Sequence, residues 1–373
     1  MKASNPALEA GRLDEYLTRV FGERVEVLAL RSLGGEVAED PKGFGYGVPF
    51  EVECRVGSQR RALVVSRTRP ARGFGHDYPA DRAWQALYGH HAYNDFPQHV
   101  RSLDVGFIRP GGEMVSAADA IDFFQLVEKA EGRLYWLDLD RLLRDGTPER
   151  RDTERAQALA RFLADAHRGK HDEPTLYARR VRELLGHGEC VMGILDSYPH
   201  PWPTLPPETC EALECALVRW RWRLRRYAHR LSRTHGDFHP WNILFREGTD
   251  FSVLDRSRGE WGEPADDVAA LGINYLFFGM RKAARRGEHG VAEPFRNMFQ
   301  DFLGTYIEAS RDEEVLQTLP PFLAFRALVI AHPRWYPDLP AALRADLAQL
   351  AIRLAESTRF DPADVSWLCG MAR

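Results

Sequence analysis

The chain has 373 residues, enough for two or three compact units with real hydrophobic cores. Its 44% hydrophobic and 28% charged residues are ordinary for a globular protein, and a formal net charge of -4 excludes a global pull toward nucleic acid or an anionic membrane. Five scattered cysteines with no C-x-x-C pair exclude a zinc ribbon or a disulfide framework. They fit free thiols in a reducing compartment. The start, Met1-Lys2-Ala3-Ser4-Asn5-Pro6, lacks the apolar core of a signal peptide, and the most apolar stretch, Val268 to Met280, is too short to span a bilayer. A cytoplasmic location is the expectation.

In chain order, Arg24–Leu33 and Pro49–Val56 alternate apolar and polar residues, the pattern of half-buried strands. Gly57-Ser58-Gln59 turns the second into a third strand, Arg61–Arg67. A Gly- and Pro-rich passage leads to a helix beginning near Pro79, since proline suits a first helical turn. Asp104–Ile108 and Phe123–Glu128 read as further strands, the latter running into a connector, Lys129-Ala130-Glu131-Gly132. From there the pattern is mostly helical, with Thr153–His167 and Leu176–Leu185 as helices. Within Glu208–Leu231, Arg219 to Leu224 alternates like a strand. Over the longer window Leu213, Leu217, Trp220, Leu224, Tyr227 and Leu231 recur at steps of four and three, and the helical period wins. A small sheet followed by a larger helical region predicts an α+β architecture with ligand in the cleft between two lobes.

One loop interrupts the helices: His235-Gly236-Asp237-Phe238-His239-Pro240-Trp241-Asn242. It precedes two short apolar runs, Ile243–Phe245 and Phe251–Leu254, separated by Arg246-Glu247-Gly248-Thr249-Asp250, the signature of a hairpin. Such a hairpin brings Asn242, before its first strand, near Asp255, after its second. Asp237, Asn242 and Asp255 then offer hard oxygen ligands for Mg²⁺ and a carboxylate to orient an attacking hydroxyl, the set that phosphoryl transfer needs. The alternation of His235, Asp237 and His239 raises a metal hydrolase as a rival, but no second histidine pair completes that site and Pro240 breaks the run.

The segment His235 to Asn242 resembles the catalytic loop of the aminoglycoside phosphotransferase and choline kinase families. Leu254-Asp255, followed by Gly262-Glu263-Pro264-Ala265-Asp266-Asp267, resembles their metal-binding segment and the helix start after it. The resemblance is clear over Thr234–Leu271. It implies a two-lobed, protein-kinase-like fold: a small antiparallel-sheet lobe over residues 1–130 that binds nucleotide, and a helical lobe over 131–373 with the catalytic loop and acceptor site. By family role Asp237 is the base, Asn242 and Asp255 are the magnesium ligands, Asp267 braces the loop, and His235 and His239 support it. The implied activity moves the γ-phosphate of ATP, or GTP, to a hydroxyl of a small molecule, with Mg²⁺. A catalytically impaired regulatory relative and a kinase acting on protein Ser/Thr are the alternatives. No nucleic-acid or membrane partner is implied, and oligomeric state is not readable.

The family also expects a phosphate-covering loop and a strand lysine in the first lobe. Gly43, Gly45 and Gly47 lie between the first two strands, where the covering loop belongs, with Gly73-Phe74-Gly75 as a rival cradle. The third strand carries no lysine. Val65 and Arg67 share one of its faces, so Val65 is read as the adenine roof and Arg67 as the phosphate cation, with Arg69 in competition. Asp81 takes the place of the helix acid that partners that cation, though a first-turn acid also suits the helix dipole. The connector, Glu128 to Ala130, resembles the hinge whose backbone pairs with the adenine edge. Arg256 and Arg258, unusual beside the metal-binding acid, are assigned to structure, and Trp241 to packing beneath the loop. Pocket walls are expected from the helices between Thr153 and Tyr198 and those after Leu271.

Overall fold

The computed structural model describes residues 9–33, 45–199 and 201–365. The chain divides into two compact units, Met1–Val127 and Glu128–Arg373.

In the first unit, α1 (Ala10–Phe21) buries Leu13, Tyr16 and Leu17 along one stripe and stops at Gly22, whose φ of 68° is the left-handed conformation glycine adopts without strain. Three antiparallel strands follow, β1 (Val25–Ser32), β2 (Gly47–Val56) and β3 (Gln59–Thr68), in the order β1-β2-β3. The alternation of β2 turns Val52, Cys54 and Val56 onto the α1 stripe, and Leu63 and Val65 of β3 pack on the same cluster. Full burial of each such side chain is worth about 1.5–3 kcal/mol, so this cluster dominates the unit's stability. After α2 (Pro79–Asp95), the hairpin of β4 (Gly106–Ile108) and β5 (Met114–Ser116) is fastened to α1 through Asp104, which accepts from Tyr16 Oη at 2.6 Å and from Ser116 Oγ at 2.8 Å.

Two features differ from the sequence expectation. The helix α1 is additional to that expectation, although Leu13, Tyr16 and Leu17 have the i, i+3, i+4 spacing of a helical stripe. The strand expected at Phe123–Glu128 does not form: the segment is irregular and exposed, with no ladder partner among the described residues. A strand needs a neighbour to satisfy its backbone, and propensity alone does not supply one.

The second unit is helical around two small sheets. Its elements are β6 (Arg133–Leu134), α3 (Trp136–Asp145), α4 (Arg150–His167), α5 (Pro174–Gly186), α6 (Val191–Asp196), α7 (Pro207–Leu224), β7 (Ser232–Arg233), β8 (Ile243–Phe245), β9 (Phe251–Val253), β10 (Trp261–Gly262), α8 (Pro264–Ala284), α9 (Phe295–Ser310), α10 (Val315–Ala331) and α11 (Ala341–Glu356). Strands β6, β8 and β9 form one antiparallel sheet, and β7 pairs with β10. Helices α8 and α10 are apolar nearly all round and lie in the core, as that composition requires.

The helical period governs α7 as expected. Trp220 is buried and its indole N–H donates to Ala355 O at 2.9 Å, whereas Trp222 is exposed between Arg221 and Arg225. Among the described residues, no helix is long and apolar enough to cross a membrane.

Candidate active site

The loop from Thr234 to Asn242 is anchored from beneath by one carboxylate. Asp267, in the first turn of α8, is fully buried and accepts the backbone N–H groups of His235 and Gly236, each at 2.7 Å. His167 Nε2 approaches the same carboxylate at 3.2 Å, and His167 Nδ1 meets Tyr306 Oη at 2.9 Å. Burial pushes the Asp267 carboxyl up, but the hydrogen bond from His167 and the two backbone donors outweigh it, and the group is held below its ordinary value. Gly236 sits at φ 86°, and a Cβ there would meet Arg258 Cβ at 2.9 Å, so glycine is required on both counts. Arg256 donates to Thr234 O at 2.8 Å and to Glu260 O at 2.9 Å, tying the two ends of the β7–β10 region.

Asp237 projects from this loop toward α10. Arg326 donates from Nη1 to Asp237 Oδ1 at 2.5 Å, and from Nη2 to Gly236 O at 2.8 Å and Asp266 Oδ1 at 2.7 Å. His239 Nε2 stands 3.5 Å from Asp237 Oδ2. Burial raises the Asp237 carboxyl, but the His239 hydrogen bond and the Arg326 and Arg258 guanidinium charges prevail and hold it well below the usual carboxylate range. His235 and His239 both spend Nδ1 on backbone, accepting from Asp237 N at 3.3 Å and Trp241 N at 3.2 Å. That use of the rings braces the loop and opposes the alternating metal-ligand arrangement. Burial lowers the His235 pKa.

The hairpin of β8 and β9 forms with Ile243 opposite Val253, and Leu254 N donates to Asn242 O at 2.8 Å. Asn242 and Asp255 therefore stand at one end of the hairpin. Asn242 Nδ2 donates to Asp237 O at 3.1 Å and lies 3.3 Å from His239 Nε2, which ties it to the Asp237 loop and leaves its amide oxygen as the acceptor. Asp255 is exposed at φ 52°, a left-handed conformation that a residue with Cβ rarely adopts and that commonly accompanies functional sites. Two carboxylates and an amide oxygen are a donor set that fits Mg²⁺, which binds few protein ligands and takes the remainder from water and phosphate. Among the described residues there is no cluster of three or more His, Cys, Asp or Glu able to hold a metal ion.

Most of the remaining expected site residues belong to the first unit. Val65 packs on the core of the first unit, and Arg67 lies over the Phe50 ring at 5.4 Å with its pKa lowered by burial. Arg69 is exposed. Gly45 is exposed and Gly47 opens β2, while Gly43 lies outside the described residues. Gly73 and Gly75 both have positive φ in a turn where Gly73 N donates to Asp77 Oδ1 at 2.8 Å. Asp81 accepts from Tyr78 N at 2.9 Å and so caps α2. Glu128 is exposed and Ala130 half-buried, in irregular chain.

Asp237, His239, Arg258 and Arg326 open on a cavity of about 620 Å³. Its aromatic wall is continuous: Trp136 stacks on Trp241 at 6.0 Å, Tyr336 meets Trp241 edge-on at 6.1 Å, and Phe277 meets Tyr336 at 5.3 Å. Trp241 thus lines the cavity as well as packing under the loop. The walls come from α3, α8, α10 and the segment 335–340, and from none of the residues between Thr153 and Tyr198, which corrects the expectation for that region. Of those helices, α4 supports the loop from behind through the contact of His167 with Asp267. Asp312 and Glu314 are spent on Arg230 and His229.

The residues missed by sequence reasoning are Arg326, Trp136, Asn274 and Arg281. Arg326 had a signal: it is the lone charge in the apolar run Leu319–Ala331, and a buried charge must find a partner. Asn274 had a similar one, as a polar residue inside the apolar stretch Val268–Met280, whereas Trp136 and Arg281 had none beyond their helices.

Comparison with known proteins supplies the family. The profile described as "Phosphotransferase enzyme family" matches residues 55–299, well over half of the chain. None of the curated proteins compared matches significantly. Solved structures similar to this chain include a glucosamine kinase, at 16% identity and a TM-score of 0.39 over 89% of this chain and 90% of that one. A choline kinase from Streptococcus pneumoniae is 12% identical with a TM-score of 0.35, covering 92% of this chain and 97% of that one. An ethanolamine kinase from Plasmodium vivax is 12% identical with a TM-score of 0.35, covering 91% of this chain and 79% of that one. With a profile match that includes the Asp237 loop, the hairpin and the Asp267 brace, the chain belongs to the phosphotransferase enzyme family.

Proposed function

We propose that this protein transfers the γ-phosphoryl group of ATP to a hydroxyl of a small molecule. The observation that supports the reading best is the juxtaposition of Asp237, Asn242 and Asp255 at one end of a hairpin, with Asp237 also lining the 620 Å³ cavity. Asn242 and Asp255 would hold Mg²⁺, which when bound supplies neutralisation of the phosphate charge. Asp237 accepts a hydrogen bond from the acceptor hydroxyl and receives its proton as the oxygen bonds to phosphorus and the bond to the leaving diphosphate breaks. Because the transition state of such transfers is loose, a strongly basic group is not needed. A low-pKa carboxylate that is always ionised orients the hydroxyl and takes the proton late.

Asp267 keeps the loop geometry, and Arg326 fixes the Asp237 carboxylate against rotation. In the first unit, Arg67, with Gly45 just before β2 and Gly47 at its start, is proposed to contact nucleotide phosphate, and the Glu128–Ala130 backbone the base. A screen for Mg·ATP-dependent phosphate transfer across hydroxyl-bearing metabolites and antibiotics tests the reading, with Asp237→Asn as control. Transfer undiminished in that variant would remove Asp237 from the mechanism.

A further inference from the structure

The cavity beside Asp237 carries cationic and polar groups that the proposed transfer does not use. Asn274 and Arg281 are seven residues apart on α8, so they share one face about 10 Å apart along the axis. Both line the cavity. Asn274 is 4% exposed; its Nδ2 donates to Ala270 O at 2.8 Å, which fixes the amide, and its Oδ1 has no donor among the described residues. Whatever fills the cavity, water or ligand, must bring an O–H or N–H to that oxygen.

Arg281 is half-buried with its guanidinium over the Phe277 and Phe278 rings, at 5.5 and 5.4 Å. It meets no carboxylate within ion-pair distance among the described residues, and neither does Arg258. The other charged wall residues are paired, apart from Asp338. Asp237 is bound to Arg326, and Asp140, the acid acting on Arg281, is paired with Arg144 at 3.0 Å. Asp338 is exposed on the segment after α10. Arg326 is shared by Asp237 and Asp266 and has no charge to spare. Of the wall charges with no ion-pair partner among the described residues, Arg258 and Arg281 are half-buried and Asp338 is exposed, so the unpaired charge inside the cavity is positive, and Arg281 carries it on the Phe277 and Phe278 rings.

We propose that the acceptor is anionic: a hydroxyl-bearing molecule with an apolar or aromatic body on the Trp136–Trp241–Tyr336–Phe277 wall, a donor to Asn274 Oδ1, and a carboxylate or phosphate on Arg281. This rests on the phosphotransferase reading and names its substrate class. A cationic acceptor would have to approach Arg281 and Arg258 with the exposed Asp338 as the one wall carboxylate outside an ion pair among the described residues, since Asp237 and Asp140 are already paired.

Three probes with one body test it: 4-(hydroxymethyl)benzoate, 4-methylbenzyl alcohol and 4-(aminomethyl)benzyl alcohol, with binding measured by calorimetry and ligand-observed NMR on the full chain without nucleotide. The carboxylate is expected to bind at least about tenfold more tightly than either other probe, the size of one charge-assisted hydrogen-bonded pair. Arg281→Met, which keeps the apolar stem over the rings, should abolish that preference, and Arg281→Lys should keep part of it. Thermal melting confirms that each variant is folded. Equal or tighter binding of the amine or the neutral alcohol overturns the proposal, as does failure of the carboxylate to bind or a preference that survives Arg281→Met. Because binding is read without nucleotide, carboxylate-selective binding with no transfer to any acceptor would sink the phosphotransferase reading alone. Transfer to the aminomethyl probe in preference would sink this proposal alone.

Discussion

Arg326 and Asp237 lie 89 positions apart in sequence and 2.5 Å apart in space, with the guanidinium also holding Gly236 O and Asp266. The pair fixes the orientation of the carboxylate on which the proposed transfer depends and, with the His239 hydrogen bond, keeps it ionised. A free aspartate at the mouth of a cavity would rotate and titrate near its ordinary value; this one is clamped and stays ionised.

Replacing the carboxylate tests its role in chemistry. Asp237→Asn keeps the shape and an acceptor oxygen for Arg326, so folding and Mg·ATP binding should be retained while transfer slows by roughly a hundredfold to ten-thousandfold, the range for a lost general base. Steady-state kinetics and equilibrium nucleotide binding, measured side by side, separate the two effects.

Removing the guanidinium is a different experiment. Arg326→Met leaves Asp237 and Asp266 without their shared cation, and breaking a buried pair from one side costs about 3–5 kcal/mol. Urea unfolding should show a lower midpoint with an unchanged slope. In the same variant the Asp237 carboxyl should rise toward its ordinary value, so an acid limb absent from the wild-type rate profile should appear as pH falls toward that value. A variant as stable as the wild type would show that the pair is dispensable.

The brace beneath the loop makes a sharper prediction about position. Asp267→Ala orphans the N–H groups of His235 and Gly236, each a buried donor worth about 1–3 kcal/mol when left unsatisfied. Stability should fall by several kcal/mol, and hydrogen exchange at those two amides should accelerate well beyond the rest of the unit. Slow exchange there in the variant would locate the anchor elsewhere.

Metal dependence belongs to the hairpin end. Asp255→Ala should weaken Mg²⁺-dependent nucleotide binding while leaving binding in the absence of the ion unchanged, read by titrating Mg²⁺ at fixed nucleotide. Full retention of the metal response would reject Asp255 as a ligand. Arg67→Ala should raise the nucleotide KM, and an effect confined to Arg69→Ala would move that role by two residues.

Acid sensitivity follows from the buried histidines. Burial lowers the pKa of His235 and of His332 in the folded chain. Below about 6.5, the ordinary histidine value, the unfolded chain then binds more protons than the folded one, so stability should be full above that pH and decline as pH falls through the depressed folded values. Melting temperatures between pH 7.5 and 5 should show the decline, and His332→Gln, away from the catalytic loop, should flatten part of it.

How much of this was legible beforehand follows the range of the interactions. The strands of the first unit, the hairpin after Asn242 and the face of α7 are short-period patterns, and each was readable because burial repeats every two or every three to four residues. The loop from His235 to Asn242 and the brace at Asp267 were readable because their chemistry is compressed into a short span. The helix α1 was missed although its stripe was present, and the strand at Phe123–Glu128 was expected where no partner exists.

The amino-acid order by itself determined the family, the α+β class and the identity of the three oxygen-bearing side chains near the hairpin, since local pattern and a contiguous motif carry all of these. Only the folded chain decided what Asp237 faces. Arg326, Trp136, Asn274 and Arg281 come from three helices between Trp136 and Ala331, and which of them line one cavity depends on how α3, α8 and α10 pack. Long-range packing of this kind is the sum of many weak contacts, so even the lone charge at Arg326 announced that a partner was needed without saying which one.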